Sequence, residues 1–313
     1  MSARPLRSKH KQGTRSWLPV LIKASEEQET PRLVICSRWR TLLHCFAMSR
    51  QRMGQHFLAD AGCQQRILAT LPRNTNDVWI EIGAGHGEMT RLLASRDRRL
   101  IAIEGDPPLA TSLSEQVHSN PSEWPGVDVV GADILAYDLT SLDAGVGRFR
   151  VYGNLPYYIT SPILHRLFQC ADRIDSIHIV IQLEVAERIV AQPGSRDYGY
   201  LSVICQFYTK PRIALKLPPG AFRPPPKVHS ALVGMTLPGE RASLGIGAQN
   251  ETSFLGFVQR CFGHKRKTLR NNLRSEKSDP EIYKALADCG IRPDARAEQL
   301  TLTQFAALFA RLR

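Results

Sequence analysis

Five short apolar runs punctuate the middle of the chain, and most stop at a polar residue or a glycine. Val78-Trp79-Ile80-Glu81-Ile82 runs into glycines, and Leu100-Ile101-Ala102-Ile103 ends on Glu104. Val127-Asp128-Val129-Val130 leads to Gly131-Ala132-Asp133. Phe149-Arg150-Val151-Tyr152-Gly153 leads to Asn154, and Ile177 to Ile181 is the fifth run. Stretches of helical period lie between them, such as Glu88 to Ser95. Repeated strand and helix predict an α/β fold, a mainly parallel sheet covered on both faces. Ligands of such sheets bind beyond the carboxyl ends of the strands. Here those ends carry Gly83, Glu104, Asp133 and Asn154.

After about residue 240 the strand pattern stops. Three amphipathic stretches follow, 251–274, 280–288 and 296–312, and predict a small helical C-terminal domain. Gly239 to Asn250 reads as a linker. Residues 1–47 show no sustained period and no secretory leader pattern. They read as a flexible or mis-started extension, since Met48 and Met53 both stand just before the patterned body. The expected organisation is therefore 1–47 extension, 48–240 ligand-binding α/β domain and 251–313 helical domain.

Charge changes this picture. The net charge is +12, but residues 1–52 supply +8 of it, from eleven Lys/Arg and three Glu. In the remainder, 198–239 carries five basic residues and no acid, and 255–277 carries seven basic residues and one acid. A body polarised in this way fits a polyanion-binding face, with Arg223, Lys227, Lys265, Arg266, Lys267 and Arg270 as its candidate contacts. No run reaches the roughly 18 apolar residues of a membrane helix. The seven cysteines are scattered without a CxxC pair, so reduced thiols are expected, with no metal site.

Glu81-Ile82-Gly83-Ala84-Gly85-His86-Gly87 follows the first strand. A glycine turn there lets backbone approach a ligand closely. Its GxGxG spacing departs from the GxGxxG of dinucleotide sites, which weakens a nicotinamide reading. Glu104 is placed to accept from both hydroxyls of a ribose, and Asp133 from an adenine amine. Together they suit a nucleoside cofactor without a diphosphate.

Asn154-Leu155-Pro156-Tyr157 has its own chemical logic. An exocyclic adenine amine has two hydrogens. The Asn154 side-chain oxygen and the Leu155 or Pro156 carbonyl can accept both, turning the nitrogen lone pair toward a methyl donor. Tyr157 can stack on a base taken out of its helix.

These residues and their order resemble the KsgA-type small-subunit ribosomal RNA adenine dimethyltransferase family. Gly54-Gln55-His56-Phe57-Leu58 is similar to its opening GQ(N/H)FL, Glu81 to Gly87 to its EIGxGxG, and Asn154 to Tyr157 to its NLPY. Gln182 to Ala186, Pro193 to Gly199, Phe222 to Val228 and Lys265 to Leu273 resemble its later motifs, so the likeness runs over about 53–311. Leu183, Tyr200 and His229 depart from the family's usual Lys, Arg and Asp. The resemblance implies a Rossmann-like class I methyltransferase sheet and S-adenosyl-L-methionine as cofactor. It implies dimethylation of two adjacent adenines near the 3′ end of small-subunit rRNA. It assigns Gln55, His56, Leu58, Gly83, Gly85, Glu104, Asp133 and Asn154 to the cofactor, and Asn154, Leu155, Pro156 and Tyr157 to the target base. It further implies a cytoplasmic monomer acting on an immature 30S particle, without membrane or metal. The alternatives are a large-subunit enzyme of the macrolide-resistance type, which usually reads NIPY, an assembly factor in which binding outweighs catalysis, and a nicotinamide oxidoreductase.

Overall fold

The computed structural model describes residues 55–73, 78–94, 99–142 and 148–312. The expectation for residues 1–47 lies outside them, as does Gly54.

The five anticipated runs form strands, β2 (Val78–Ile82), β3 (Leu100–Glu104), β4 (Val127–Gly131), β5 (Phe149–Asn154) and β6 (Ile174–Gln182). All five are parallel neighbours in one sheet. Two further strands, β9 (Ser230–Thr236) and β7 (Lys210–Leu217), complete it in the order β4-β3-β2-β5-β6-β9-β7. β9 runs antiparallel to both β6 and β7. A separate two-stranded ribbon joins β1 (Phe57–Leu58) to β8 (Phe222–Arg223), with Phe57 opposite Arg223. From β2 the chain first builds outward through β3 and β4, then returns to place β5 on the other side. The β2–β5 seam is thus the topological switch point, where such sheets open a crevice.

Alternate residues of each strand enter opposite faces. Val78, Ile80, Ile82, Ile101, Ile103, Phe149 and Val151 share one core. Trp79, Leu100, Ala102, Tyr152 and Val180 belong to the other. Helices α1 (Ala61–Thr70), α2 (Glu88–Ala94) and α3 (Pro107–Ser119) contribute Ile67, Leu93 and Leu113 to the second core. Helices α4 (Thr160–Phe168), α5 (Leu183–Val190) and α6 (Tyr200–Tyr208) pack into the first. Local chemistry sets the starts. Asp60 accepts from the Cys63 N–H at 2.7 Å to begin α1, and Asp106 caps α3 with prolines in its first turn.

The C-terminal helices are α7 (Glu251–Cys261), α8 (Leu269–Leu273), α9 (Asp279–Asp288) and α10 (Leu302–Leu312). Their core continues into the first face of the sheet layers. Phe254 lies 5.3 Å from Phe207 of α6 and 5.5 Å from Phe309 of α10, between ring centroids. The single stretch anticipated over 251–274 is corrected to two helices with a turn between them. Asn272 braces the turn: its Nδ2 donates to the Cys261 carbonyl at 2.8 Å, and its Oδ1 accepts from the His264 N–H at 3.1 Å. That side chain takes over hydrogen bonding that a continuous helix would keep within its own backbone. The anticipated linker is also fixed in place. Arg241 pairs with Asp172 at 2.9 Å and with Glu251.

Candidate active site

The glycine turn, Glu104, Asp133 and Asn154 meet at the carboxyl ends of β2, β3, β4 and β5, as the sequence anticipates. Gly83 and Gly85 have φ of 74° and 60°, a conformation that L side chains rarely adopt. A Cβ on Gly85 would also stand 3.0 Å from the Phe57 ring, so the turn and the β1 segment close on each other.

Glu104 is 5% exposed. Its Oε2 accepts from the Gly85 N–H and its Oε1 from the Asp106 N–H, both at 2.8 Å. Each carboxylate oxygen keeps acceptor capacity for one hydroxyl. The Gly83 N–H is spent on the Ile103 carbonyl and the Gly87 N–H on the Ala84 carbonyl. All three glycine amides are therefore engaged inside the protein, whereas a dinucleotide turn offers amides to a pyrophosphate. With a buried carboxylate at its centre, this turn suits a ribose and disfavours a diphosphate. Asp133 is exposed, and its Oδ1 accepts from the Leu135 N–H at 2.9 Å.

Asn154 is oriented by a long-range bond. Its Nδ2 donates to the His56 carbonyl at 2.9 Å. A carbonyl can only accept, so the amide has one possible setting, with Oδ1 on the other side. His56 Nδ1 is 2.7 Å from the Pro224 carbonyl and therefore carries the ring hydrogen. The His56 ring stacks on Tyr157 at 5.7 Å, and the Tyr157 hydroxyl lies 2.8 Å from Ser230 Oγ. Burial raises the Tyr157 pKa, with the Ser230 hydrogen bond acting against it, so the phenol stays neutral. Phe57 in turn packs on His86 at 4.7 Å. Phe57, Pro224 and Ser230 escape motif-free sequence reasoning, because the β1–β8 pairing brings the first two beside the loop and the β6–β9 pairing the third.

Leu155 is 2% exposed and Leu58 is also buried, and both side chains pack in the cores. Their backbones are engaged differently. The Leu58 carbonyl accepts from Gln64 Nε2 at 2.7 Å. The Pro156 carbonyl accepts from the Ile159 N–H at 3.2 Å. No donor to the Leu155 carbonyl is seen among the described residues, so it is the less engaged of the two backbone acceptors. Gln55 is exposed beside His56.

Beneath the turn, burial lifts the Glu81 carboxyl to about 8, with repulsion from Glu104 adding to it. Its Oε2 and the neighbouring Tyr152 hydroxyl are buried with no hydrogen-bond partner among the described residues.

The basic candidates divide. Lys227, Arg266 and Lys267 are exposed. Arg223 donates to the Gly220 and Phe222 carbonyls. Lys265 Nζ donates to the Arg196 carbonyl at 2.8 Å, tying the turn after α7 to the loop before α6. Arg270 pairs with Asp279 at 2.5 Å and lies 5.3 Å over the Tyr283 ring, so part of its guanidinium is engaged within the protein. Asp279 belongs to another helix, which the local sequence does not reveal. No described helix is long and apolar enough to cross a membrane, and no described cluster of His, Cys, Asp and Glu could hold a metal.

Comparison with known proteins agrees with this geometry. The family model for ribosomal RNA adenine dimethylase matches residues 47–313. The chain is 41% identical over 264 residues to ribosomal RNA small subunit methyltransferase A of Acidobacterium capsulatum, covering 84% of this chain and 91% of the relative. It is 38% identical to the protein of the same name from Acinetobacter baylyi, covering 83% and 91%. Among solved structures, a dimethyladenosine transferase from Plasmodium falciparum superposes with a TM-score of 0.65 at 21% identity, over 81% of this chain and 96% of that one. The 23S rRNA methyltransferase ErmE gives 0.59 at 28% identity, over 82% and 99%. The chain belongs to the ribosomal RNA adenine dimethylase family.

Proposed function

We propose that this chain dimethylates the exocyclic amines of two adjacent adenines near the 3′ end of small-subunit rRNA, in an immature 30S particle. The observation that carries the reading is the fixed Asn154 amide. With Nδ2 held by His56, Oδ1 and the Leu155 carbonyl form a pair of acceptors for the two amine hydrogens. S-adenosyl-L-methionine, when bound, supplies an electrophilic methyl on sulfur. Glu104 would hold its ribose, Asp133 its adenine, and the Gly83–Gly85 backbone its methionine end, beside Asn154. Accepting both amine hydrogens draws the nitrogen toward tetrahedral geometry and frees its lone pair. Tyr157, braced by His56 and Ser230, holds the base face. No strong base is needed, because the amine becomes acidic once methylated and its proton leaves to solvent. Positioning and electrostatics carry the rate.

The small-subunit target is supported by relatives at 38–41% identity that bear that name. The large-subunit alternative rests on a more distant likeness, ErmE at 28%. Residues 48–240 form the catalytic part in this reading, and the 251–313 helices present Arg266 and Lys267 to RNA phosphates. The protein works as a cytoplasmic monomer. The test is methyl transfer from labelled cofactor to immature small subunits, followed by mapping of the modified bases. Label on two adjacent adenines of small-subunit rRNA is expected, and label confined to large-subunit rRNA would overturn the assignment.

A further inference from the structure

The large apolar side chains exposed among the described residues are Tyr158, Val228 and Tyr283. Two of them flank the catalytic loop. Tyr158, 48% exposed, directly follows Tyr157. Val228, 46% exposed, lies two residues before Ser230, whose hydroxyl meets that of Tyr157 at 2.8 Å. The Pro224 carbonyl holds His56 against the same Tyr157 ring, so the 224–230 segment and the 157–158 turn border one mouth. Exposed Lys227 stands on that segment, and exposed Arg223 directly precedes it. Neither Tyr158 nor Val228 serves the core, and the steps described above use neither. An apolar pair flanked by cations fits an unstacked base joined to phosphates, since aromatic side chains stack bases while Lys and Arg hold the backbone.

Resting on the reading that the substrate is one of two adjacent adenines, we propose that Tyr158 and Val228 form a platform for the neighbouring base while its partner occupies the catalytic loop. The neighbour is one nucleotide away, so it must lie at the mouth, where these side chains are. Tyr158 supplies the stacking face and Val228 the edge, with Lys227 and Arg223 placed for the linking phosphates. The platform decides how well the second adenine follows the first. It is a specificity subsite and touches no reacting atom.

The probe is an RNA stem-loop carrying the target adenine beside 2-aminopurine, whose emission falls when it stacks. Saturating wild-type protein should quench the probe relative to Tyr158→Ala at saturation, while Tyr158→Phe, which keeps the ring, should quench like wild type. Affinity for the stem-loop, read by anisotropy, should fall about tenfold in Tyr158→Ala. S-adenosyl-L-methionine affinity should not move. On immature small subunits, Tyr158→Ala should leave more particles with only one adenine modified. Equal emission and equal product ratios for wild type and Tyr158→Ala would overturn the platform while methylation by wild type stands. Failure of wild type to methylate adenines would instead overturn the underlying reading, and the platform with it.

Discussion

The Asn154 side-chain amide donates to the backbone carbonyl of His56, 98 residues earlier in the chain, at 2.9 Å. One bond therefore ties the loop that resembles the base-holding motif to the segment that closes over the glycine turn. It also settles which end of the amide faces the ligand. Asn154→Asp would place an oxygen against the His56 carbonyl, so at this position the amide cannot be replaced by its acid without loss of the tether.

Glu104 is expected to govern cofactor affinity. Removing its carboxylate loses charge-assisted bonds to the ribose and leaves the Gly85 and Asp106 amides without their acceptor. Glu104→Ala should weaken S-adenosyl-L-methionine binding by ~2–4 kcal/mol. Isothermal titration reads this directly, and an unchanged Kd would remove Glu104 from the ribose site.

Glu81 makes stability depend on pH. Its folded-state pKa of about 8 lies above the ~4.3 of an unfolded glutamate. Below the lower value both states hold the proton. Between the two only the folded state does, so ionisation of the unfolded chain draws the equilibrium away from the fold. Stability should fall as pH rises through this window and level off beyond it. Glu81→Gln should flatten the slope and be the more stable protein at pH 8, by as much as ~4 kcal/mol. Urea unfolding at pH 5.5, 7 and 8.5 checks this. Parallel curves for the two proteins would mean that Glu81 finds a partner in solution.

The basic residues should separate by experiment as they do in space. Replacing Arg266 and Lys267 together should make the salt dependence of RNA binding shallower by about 1.5 in log–log slope, because roughly 0.7–0.9 counterions are released per phosphate contact. Arg270→Ala should leave that slope nearly unchanged and lower the melting temperature, since Asp279 and Tyr283 lose their partner. Salt titrations of RNA affinity and thermal melts give the two readouts. An Arg270 variant with the larger slope change would reverse the assignment.

What the sequence disclosed follows from which interactions are local. Strands β2 to β5 are parallel, and most of their residues are buried, so they stand out as apolar runs bounded by functional polar residues. The acid and asparagine at their ends were legible because the sheet rule places ligands there. β6 begins three residues before its apolar run, where Ile174 and Ser176 pair with β5 and Asp175 and Ser176 also hold Arg150, contacts across strands. The β1–β8 ribbon joins residues more than 160 apart and has only two residues on each strand, too short for a pattern. The turn after α7 is braced by one asparagine side chain, and Arg270 pairs with an aspartate in another helix. Leu58 and Leu155 lie within site motifs, and the fold also uses their side chains as core.

The central claim is that Asn154 Oδ1 and the Leu155 carbonyl receive the target amine, an interaction that strengthens as the nitrogen rehybridises. Such a group acts mainly on the transition state, so its removal should appear in turnover and far less in RNA binding. Single-turnover methylation of immature small subunits at saturating S-adenosyl-L-methionine measures it most directly. Asn154→Ala should slow that step by about 10²–10³ while RNA affinity stays close to wild type. A variant that keeps more than about half of the wild-type single-turnover rate would contradict the account, and the Asn154–Tyr157 loop would then be a structural turn alone.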